Sequence, residues 1–350
     1  MLEFCALYGK EVVSLIEKRG EKAFRAQQLF DWVYQKGVTC WDKMHNLPKE
    51  LRAFLKETVK LNLLSLQKRE EGNEVTKFLW KLPDHLFVES VLIDSGERRT
   101  VCLSSQVGCP ARCAFCASGK GGVIRNLSAA EIVEQVVQIH RYLMEKKERV
   151  SHLVFMGMGE PLENYDNVIR ALKILIDPHF FHFSPRKVTL STVGVVPNIY
   201  RFIEEDIPIN LALSLHAPSQ TIRKKIVPYA RQYPLEEVLM SVRQYATYTK
   251  RNMTYEYVLI EGINDAKEDA VELSKLLKQE DCSVNLIPFN PVPGVALKRP
   301  SKRAIDSFRS VLQKKGIRNT CRYTKGKEIT AACGQLALKD LEKANEYKNV

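Results

Sequence analysis

The sequence predicts an α/β protein: a partial, open (β/α) barrel of six units, preceded by a small all-α domain and a connecting β extension. Three observations carry this. Strand-like and helix-like segments alternate from about residue 100 onward, the strand-like segments end in polar or glycine-bearing motifs, and residues 1–72 show helical periodicity. Alternating β and α segments imply parallel strands with right-handed crossovers. Polar motifs at the C-terminal ends of strands are where (β/α) barrels gather their chemistry.

Residues 1–72 form the first unit. KEVVSLIEKRG, FRAQQLFDWVYQKG and PKELRAFLKETV are helical, and Gly20 and Gly37 follow helical runs as C-terminal caps do. Residues 73–99 form the extension. There VTKFLWKLP, LFVESVLID and RTVCLSSQ are short strands separated by Asp84-His85 and Ser95-Gly96. Residues 100–335 form the barrel. Its strands are RTVCLSSQ, SHLVFMGM, KVTLSTVG, INLALSLH, TYEYVLIEG and SVNLIPFN, interleaved with helices such as SAAEIVEQVVQIHRYLMEK and PLEEVLMSVRQYATYTK. Ser128 with Glu131 three residues on is a capping box. Six units instead of eight leave a wide mouth for a large substrate, and residues 336–350 form a C-terminal tail.

Forty-five per cent hydrophobic residues sustain a core, and no low-complexity run or repeat is visible. MLEFCALYGKEVV lacks the basic n-region and long apolar run of a signal peptide, and no stretch approaches a membrane span, so a cytoplasmic protein is expected. The formal net charge is +12, with basic groups at Arg186-Lys187, Arg223-Lys224-Lys225, Lys298-Arg299, Lys302-Arg303, Lys314-Lys315, Lys325 and Lys327. Such a balance favours a polyanionic partner, or serves solubility alone.

Nine cysteines are present: Cys5, Cys40, Cys102, Cys109, Cys113, Cys116, Cys282, Cys321 and Cys333. In a reducing compartment they point to metal or redox chemistry instead of a disulfide framework. Cys109-x3-Cys113-x2-Cys116 is the strongest signal. A structural zinc normally takes a fourth protein ligand, often from a second Cys-x2-Cys pair, and none is present. Three local thiolates on an iron–sulfur cluster leave one iron open, unless Cys321 or Cys333 is a fourth ligand. Zinc and merely buried thiols are the competing readings.

The three-cysteine loop after the first barrel strand resembles the signature of the radical S-adenosylmethionine (SAM) superfamily. QVGCPARCAFCASG, FMGMGEPLENYDNV, STVGVVP, LSLHAP, YVLIEGIND, PFNPVPG and AACGQLA all resemble the RlmN/Cfr family of RNA adenine methyltransferases, most closely its RlmN branch. HNLPKELR and its surrounding helices resemble that family's accessory domain, expected to bind RNA. The resemblance implies a radical SAM barrel acting at carbon 2 of adenosine 2503 in 23S rRNA and of adenosine 37 in tRNA. It implies a [4Fe–4S] cluster on Cys109, Cys113 and Cys116, two SAM molecules per turnover, an electron donor such as flavodoxin or ferredoxin, and a monomeric chain.

It also assigns roles. Cys333 becomes S-methylcysteine, Cys102 forms a transient disulfide with it, and Glu89 accepts a proton. Gly159, Glu160, Ser191, Ser214, Leu215, His216 and Asn290 contact SAM or its surroundings, while Cys5, Cys40, Cys282 and Cys321 are structural. Read without the resemblance, Cys102 is a small buried hydrophobe, Glu89 a solvated strand residue and His216 a satisfied core histidine. The chemistry explains the machinery: carbon 2 of adenine lies between two ring nitrogens and does not attack a sulfonium methyl, whereas a carbon radical adds to it. Two other functions remain open: methylation at carbon 8, as in the Cfr branch, and a non-catalytic RNA-binding protein with structural zinc.

Overall fold

The computed structural model describes residues 1–181, 183–278, 280–322 and 329–336. The first part of the chain contains β1 (Leu2–Glu3), α1 (Gly9–Glu17), α2 (Phe24–Phe30), α3 (Lys49–Thr58), β2 (Val59–Lys60), β3 (Ser65–Gly72), β4 (Val75–Lys81), β5 (Phe87–Ser95), β6 (Arg98–Cys102), β7 (Gln106–Gly108) and β8 (Val123–Asn126). There follow α4 (Ala129–Glu145), β9 (His152–Phe155), α5 (Tyr165–Ile176), β10 (Val188–Thr192), α6 (Val196–Glu204), β11 (Asn210–Ser214), α7 (Gln220–Ile226) and α8 (Leu235–Thr249). The last elements are β12 (Met253–Leu259), α9 (Lys267–Leu276), β13 (Cys282–Pro288), α10 (Lys302–Lys314) and β14 (Arg318–Cys321).

One ten-stranded sheet organises these elements, in the order β14-β13-β12-β11-β10-β9-β6-β5-β4-β3. β6 and β9 to β14 run parallel, as the β/α alternation requires, while β5, β4 and β3 continue the same sheet antiparallel. All six expected barrel strands are present. β14 adds a seventh parallel strand that the sequence reading omits, because RNTC is short and polar and lies at the sheet edge.

Residues 65–72 are also strand instead of helix, so the helical unit ends before residue 65. SLQKREEG has no apolar stripe to bury as a helix. As an edge strand it pairs its backbone with β4 and turns charged side chains to solvent, which guards the edge against further pairing. The tail beyond Leu336 and the basic residues Lys325 and Lys327 lie outside the described residues.

α4 joins the parts. Ser128 accepts from the Glu131 N–H at 3.2 Å while Glu131 accepts from the Ser128 N–H at 2.8 Å, the expected capping box. Its Glu134 accepts the N–H groups of Leu63 and Leu64 at 2.7 and 3.0 Å, fastening the segment that leaves the helical unit. Gln135 accepts from Ser90 Oγ at 2.7 Å and from the Ser104 N–H at 3.0 Å, and donates to the Ser104 carbonyl. On the other side, Phe30 meets Phe180 edge-on with ring centroids 4.5 Å apart, so aromatic packing docks the N-terminal helices on the barrel. Among the described residues no helix is long and apolar enough to cross a membrane.

Gln135→Leu leaves the Ser104 N–H and carbonyl and the Ser90 hydroxyl without that partner inside the core. Urea denaturation should show a loss of about 2 kcal/mol or more, because buried polar groups without partners cost that order each.

Candidate active site

The parallel strands deliver their ends to one cavity. Its wall takes Gly159 and Glu160 after β9, Ser191 from β10, Ser214 and His216 from β11, and Asn290 after β13. Cys109, Cys113, Cys116 and Cys333 complete it.

The cysteine loop is closed by the antiparallel pair β7 and β8, a small sheet of its own. Gly108 sits at φ +79°, where a Cβ would lie 2.0 Å from the Gly122 carbonyl oxygen, so only glycine fits. The Cys109 N–H donates to that oxygen at 2.9 Å, and the Ala114 N–H donates to Ile226 at the end of α7. Burial pushes the thiols up, Cys109 to about 12; Cys113 is raised further by Cys116 and Cys109. The three sulfurs therefore lie within electrostatic reach of one another in a poorly solvated pocket.

Cys333 arrives on the turn of residues 329–336. The Ala117 N–H donates to the Gly334 carbonyl at 2.8 Å, and Asn290 Nδ2 donates to the Cys333 carbonyl at 3.1 Å. Its thiol is solvent-accessible through the cavity it lines. Cys102 ends β6 and is buried; burial and then the neighbouring Cys333 push its thiol up to about 12. Glu89 and Cys102 are not on the cavity wall itself, and Glu89 is a buried residue with a Lys77 partner at 3.3 Å, not a solvated one.

The glycines of MGMGEP serve packing more than ligand approach. A Cβ on Gly157 would meet the Leu103 carbonyl oxygen at 2.6 Å, and one on Gly159 the Ser105 Oγ at 2.6 Å, so both press onto the chain after β6. Glu160 accepts the Leu162 and Val193 N–H groups at 3.1 and 2.8 Å, and burial raises its carboxyl to about 7. Ser191 Oγ and Ser214 Oγ are 3.2 Å apart. Leu215 does not line the cavity; its side chain is in the core and its carbonyl accepts from Arg223.

His216 has φ +58°, a left-handed conformation uncommon outside glycine, and its carbonyl accepts from Asn264 at 2.7 Å. Its Nδ1 accepts the Val258 N–H at 3.1 Å, so Nε2 carries the proton of a neutral ring. Burial, then Arg223, lowers its pKa to about 3.

Three functional-looking groups escaped the sequence reading: Glu256, Arg322 and Arg223. Glu256 stands mid-strand in β12, in a row with Ser214 on β11 and Asn285 on β13. Its Oε1 accepts from Asn285 at 2.8 Å and lies 3.5 Å from Arg322, while its buried Oε2 has no hydrogen-bond partner. A single charged residue at an inward position of TYEYVLI was the available signal. Arg223 is the third. It is 1% exposed and donates to the carbonyls of Val193, Ser214 and Leu215. It therefore clamps the strand ends and does not belong to the basic surface, unlike the exposed Lys224 and Lys225.

A strand-end cavity holding three thiols from one loop is the arrangement of a radical SAM protein, and the Radical SAM superfamily model matches residues 103–274. A second model, the ribosomal RNA large subunit methyltransferase N-terminal domain, matches residues 5–61. The chain is 56% identical over 335 residues to the probable dual-specificity RNA methyltransferase RlmN 2 of Protochlamydia amoebophila (strain UWE25), covering 95% of this chain and 94% of the relative. It is 44% identical to the dual-specificity RNA methyltransferase RlmN of Syntrophobacter fumaroxidans (strain DSM 10017 / MPOB), covering 93% and 95% of the two chains. A crystal structure of a radical SAM methyltransferase from Sphaerobacter thermophilus superposes with TM-score 0.93 at 40% identity, covering 96% of this chain and 99% of that one. The chain belongs to the RlmN family of radical SAM RNA methyltransferases.

Membership of that superfamily implies an iron–sulfur cluster and SAM, and the residues fit them. Cys109, Cys113 and Cys116 come from one loop onto one cavity wall, a thiol set of the kind that holds an iron–sulfur cluster. The partnerless Glu256 Oε2 and the neutral Nε2–H of His216 offer an acceptor and a donor to a polar ligand.

Two outcomes follow for the charged groups. Arg223→Glu should destabilise the protein by roughly 3–5 kcal/mol in urea denaturation, the order expected when a buried, hydrogen-bonded charge is replaced by its opposite. Reversing Lys224 and Lys225 together should instead leave stability intact and reduce the salt slope of RNA binding by up to about 2.

His216 supplies a pH test. Its folded value of about 3 lies below the ordinary unfolded ~6.5, so its contribution is complete above pH 6.5 and is lost as pH falls toward 3. Between pH 7 and 5 the loss is about 2 kcal/mol, measured as the difference in urea stability between the unaltered and His216→Asn proteins. That difference removes the opposite trend of Glu160.

Proposed function

We propose that this chain methylates carbon 2 of adenine in RNA, at adenosine 2503 of 23S rRNA and adenosine 37 of tRNA, using Cys333 as a methyl carrier. The observation that carries the mechanism is the seating of Cys333 on the wall shared with Cys109, Cys113 and Cys116, within electrostatic reach of Cys102. Cys109, Cys113 and Cys116 would hold a [4Fe–4S] cluster, which with SAM would supply the one-electron chemistry that removes a hydrogen atom from the methylated Cys333, SAM itself being the source of the methyl group. Gly159, Glu160, Ser191, Ser214, His216 and Asn290 form the SAM cradle, with Leu215 behind it holding Ser214 and His216 in place.

Cys333 takes the first methyl group on sulfur. After losing a hydrogen atom its methylene carbon adds to carbon 2, forming a covalent protein–RNA bond. Glu89 receives the proton from carbon 2, the electron pair of that C–H bond stays in the purine, and the unpaired electron of the adduct would pass to the oxidised cluster that Cys109, Cys113 and Cys116 would hold. Cys102 then attacks the Cys333 sulfur. An S–S bond forms, the C–S bond breaks, and the methylene carbon keeps the pair and takes up the proton given up by the Cys102 thiol, leaving as methyl.

A one-electron donor such as flavodoxin or ferredoxin feeds the reaction, and a monomer suffices because one chain supplies every group named. The N-terminal helices and exposed lysines hold the surrounding RNA while the target base is turned out of its stack into the cavity. The site of action is the cytoplasm, where rRNA and tRNA are made.

Cys333→Ala should make no product, and Cys102→Ala should trap RNA on the protein as a band of high mass on a denaturing gel. Free RNA only in the Cys102→Ala lane would sink the release step. Mass spectrometry of digested RNA checks the position: a methyl group on carbon 8 would overturn carbon-2 specificity.

A further inference from the structure

The antiparallel extension carries a buried lysine that neither the fold nor the transfer chemistry has used. Lys77 on β4 is 7% exposed. Register sets it opposite Glu70 on β3 and Val91 on β5, and Val91 in turn opposite Cys102 on β6. Glu89, two residues before Val91, points to the same face. The ammonium lies 2.9 Å from Glu70 Oε2, 3.3 Å from Glu89 Oε1 and 3.3 Å from Thr330 Oγ1.

Lysine is seldom buried unless its charge is paired. A single carboxylate would meet that need. Here two carboxylates and a hydroxyl converge, enough to take all three ammonium hydrogens. The hydroxyl belongs to the turn that carries Cys333, and Thr330 itself sits at φ +50°, a left-handed conformation that a β-branched residue rarely adopts. Something must hold Thr330 there, and Lys77 is bonded to it.

We propose that Lys77 is a positioning residue for proton removal: it ties the Glu89 carboxylate to the turn that delivers Cys333, so that proton acceptor and methyl carrier reach the same ring carbon. This rests on the roles given above to Glu89 and Cys333. In the step concerned the C–H bond at carbon 2 breaks, its electron pair remains in the ring and the proton passes to a Glu89 oxygen.

The test uses cluster-loaded full-length protein with SAM, a reductant and an RNA fragment bearing the target adenosine. Lys77→Met, Lys77→Arg and Glu89→Gln are compared with the unaltered enzyme for deoxyadenosine formed and for covalent protein–RNA adduct remaining. Lys77→Met should form deoxyadenosine normally but release RNA roughly tenfold to a hundredfold more slowly, the scale of a misplaced catalytic group. Glu89→Gln should show the same accumulation, and Lys77→Arg, which keeps the cation, should restore release. Normal release by Lys77→Met overturns the inference. So does joint loss of deoxyadenosine, adduct and thermal stability, which would make Lys77 a support of the fold alone. Should Glu89→Gln release RNA normally, the proton-acceptor role of Glu89 is what fails.

Discussion

The chemistry depends on how the turn of residues 329–336 is seated against the cysteine loop. On the loop side its contacts are made by backbone, the Gly334 carbonyl accepting from the Ala117 N–H and the Leu336 carbonyl from Ser118 Oγ; elsewhere Asn290 Nδ2 donates to the Cys333 carbonyl, Gln335 Nε2 to the Pro291 carbonyl and Lys77 to Thr330 Oγ1. Gly334 has φ +82°, and a Cβ there would stand 3.0 Å from the Phe115 carbonyl oxygen. Backbone bonds place the turn within hydrogen-bond distance of the loop while leaving the Cys333 thiol uncommitted. The carrier role proposed for Cys333 would need that freedom at sulfur, with its Cα held still.

The same sheet serves two purposes on its two halves. The parallel half ends its strands at the cavity, as right-handed crossovers compel. The antiparallel half turns Lys77, Glu89, Val91 and Cys102 to one face by the two-residue period of strands. Its other face presents Trp80 and Ser90, whose hydrogen bond continues to Gln135 on α4. Sliding β5 by one residue against β4 would send Glu89 to the helix side and Ser90 to the opposite one. The buried polar bond from Ser90 to α4 opposes such a slip.

Much of this was legible in the sequence, for physical reasons that differ by residue. The cysteine loop was read because three thiols in eight residues have few structural uses. The six barrel strands were read because buried parallel strands are continuous apolar runs between amphipathic helices. β14 was not, because an edge strand buries only part of itself, and residues 65–72 were misjudged because polar strands and polar helices look alike without a partner. Arg223 was misread for a deeper reason. Arg223-Lys224-Lys225 looks like one basic patch, yet successive residues of a helix point in different directions, and only the first turns inward. Glu89, Cys102 and Cys333 were gathered by family resemblance; periodicity alone gave each of them a bland reading.

Buried charge in the cavity follows a consistent pattern. Arg223 gives its hydrogens to strand-end carbonyls, and Glu160 takes backbone N–H groups from the chain after β9 and after β10. His216, kept neutral by burial and then by Arg223, accepts a backbone N–H at its Nδ1. In each case a side chain that could have faced a ligand spends at least part of its capacity on the backbone at a strand end. Dipoles fixed in that way need no reorganisation when charge moves during reaction. Glu256 differs, since one oxygen is held by Asn285 while the other is left over in a buried place. An orphaned carboxylate oxygen is costly in an empty pocket and becomes favourable once a donor fills it, so the cost of leaving it unpaired favours occupancy of the cavity by a hydrogen-bond donor.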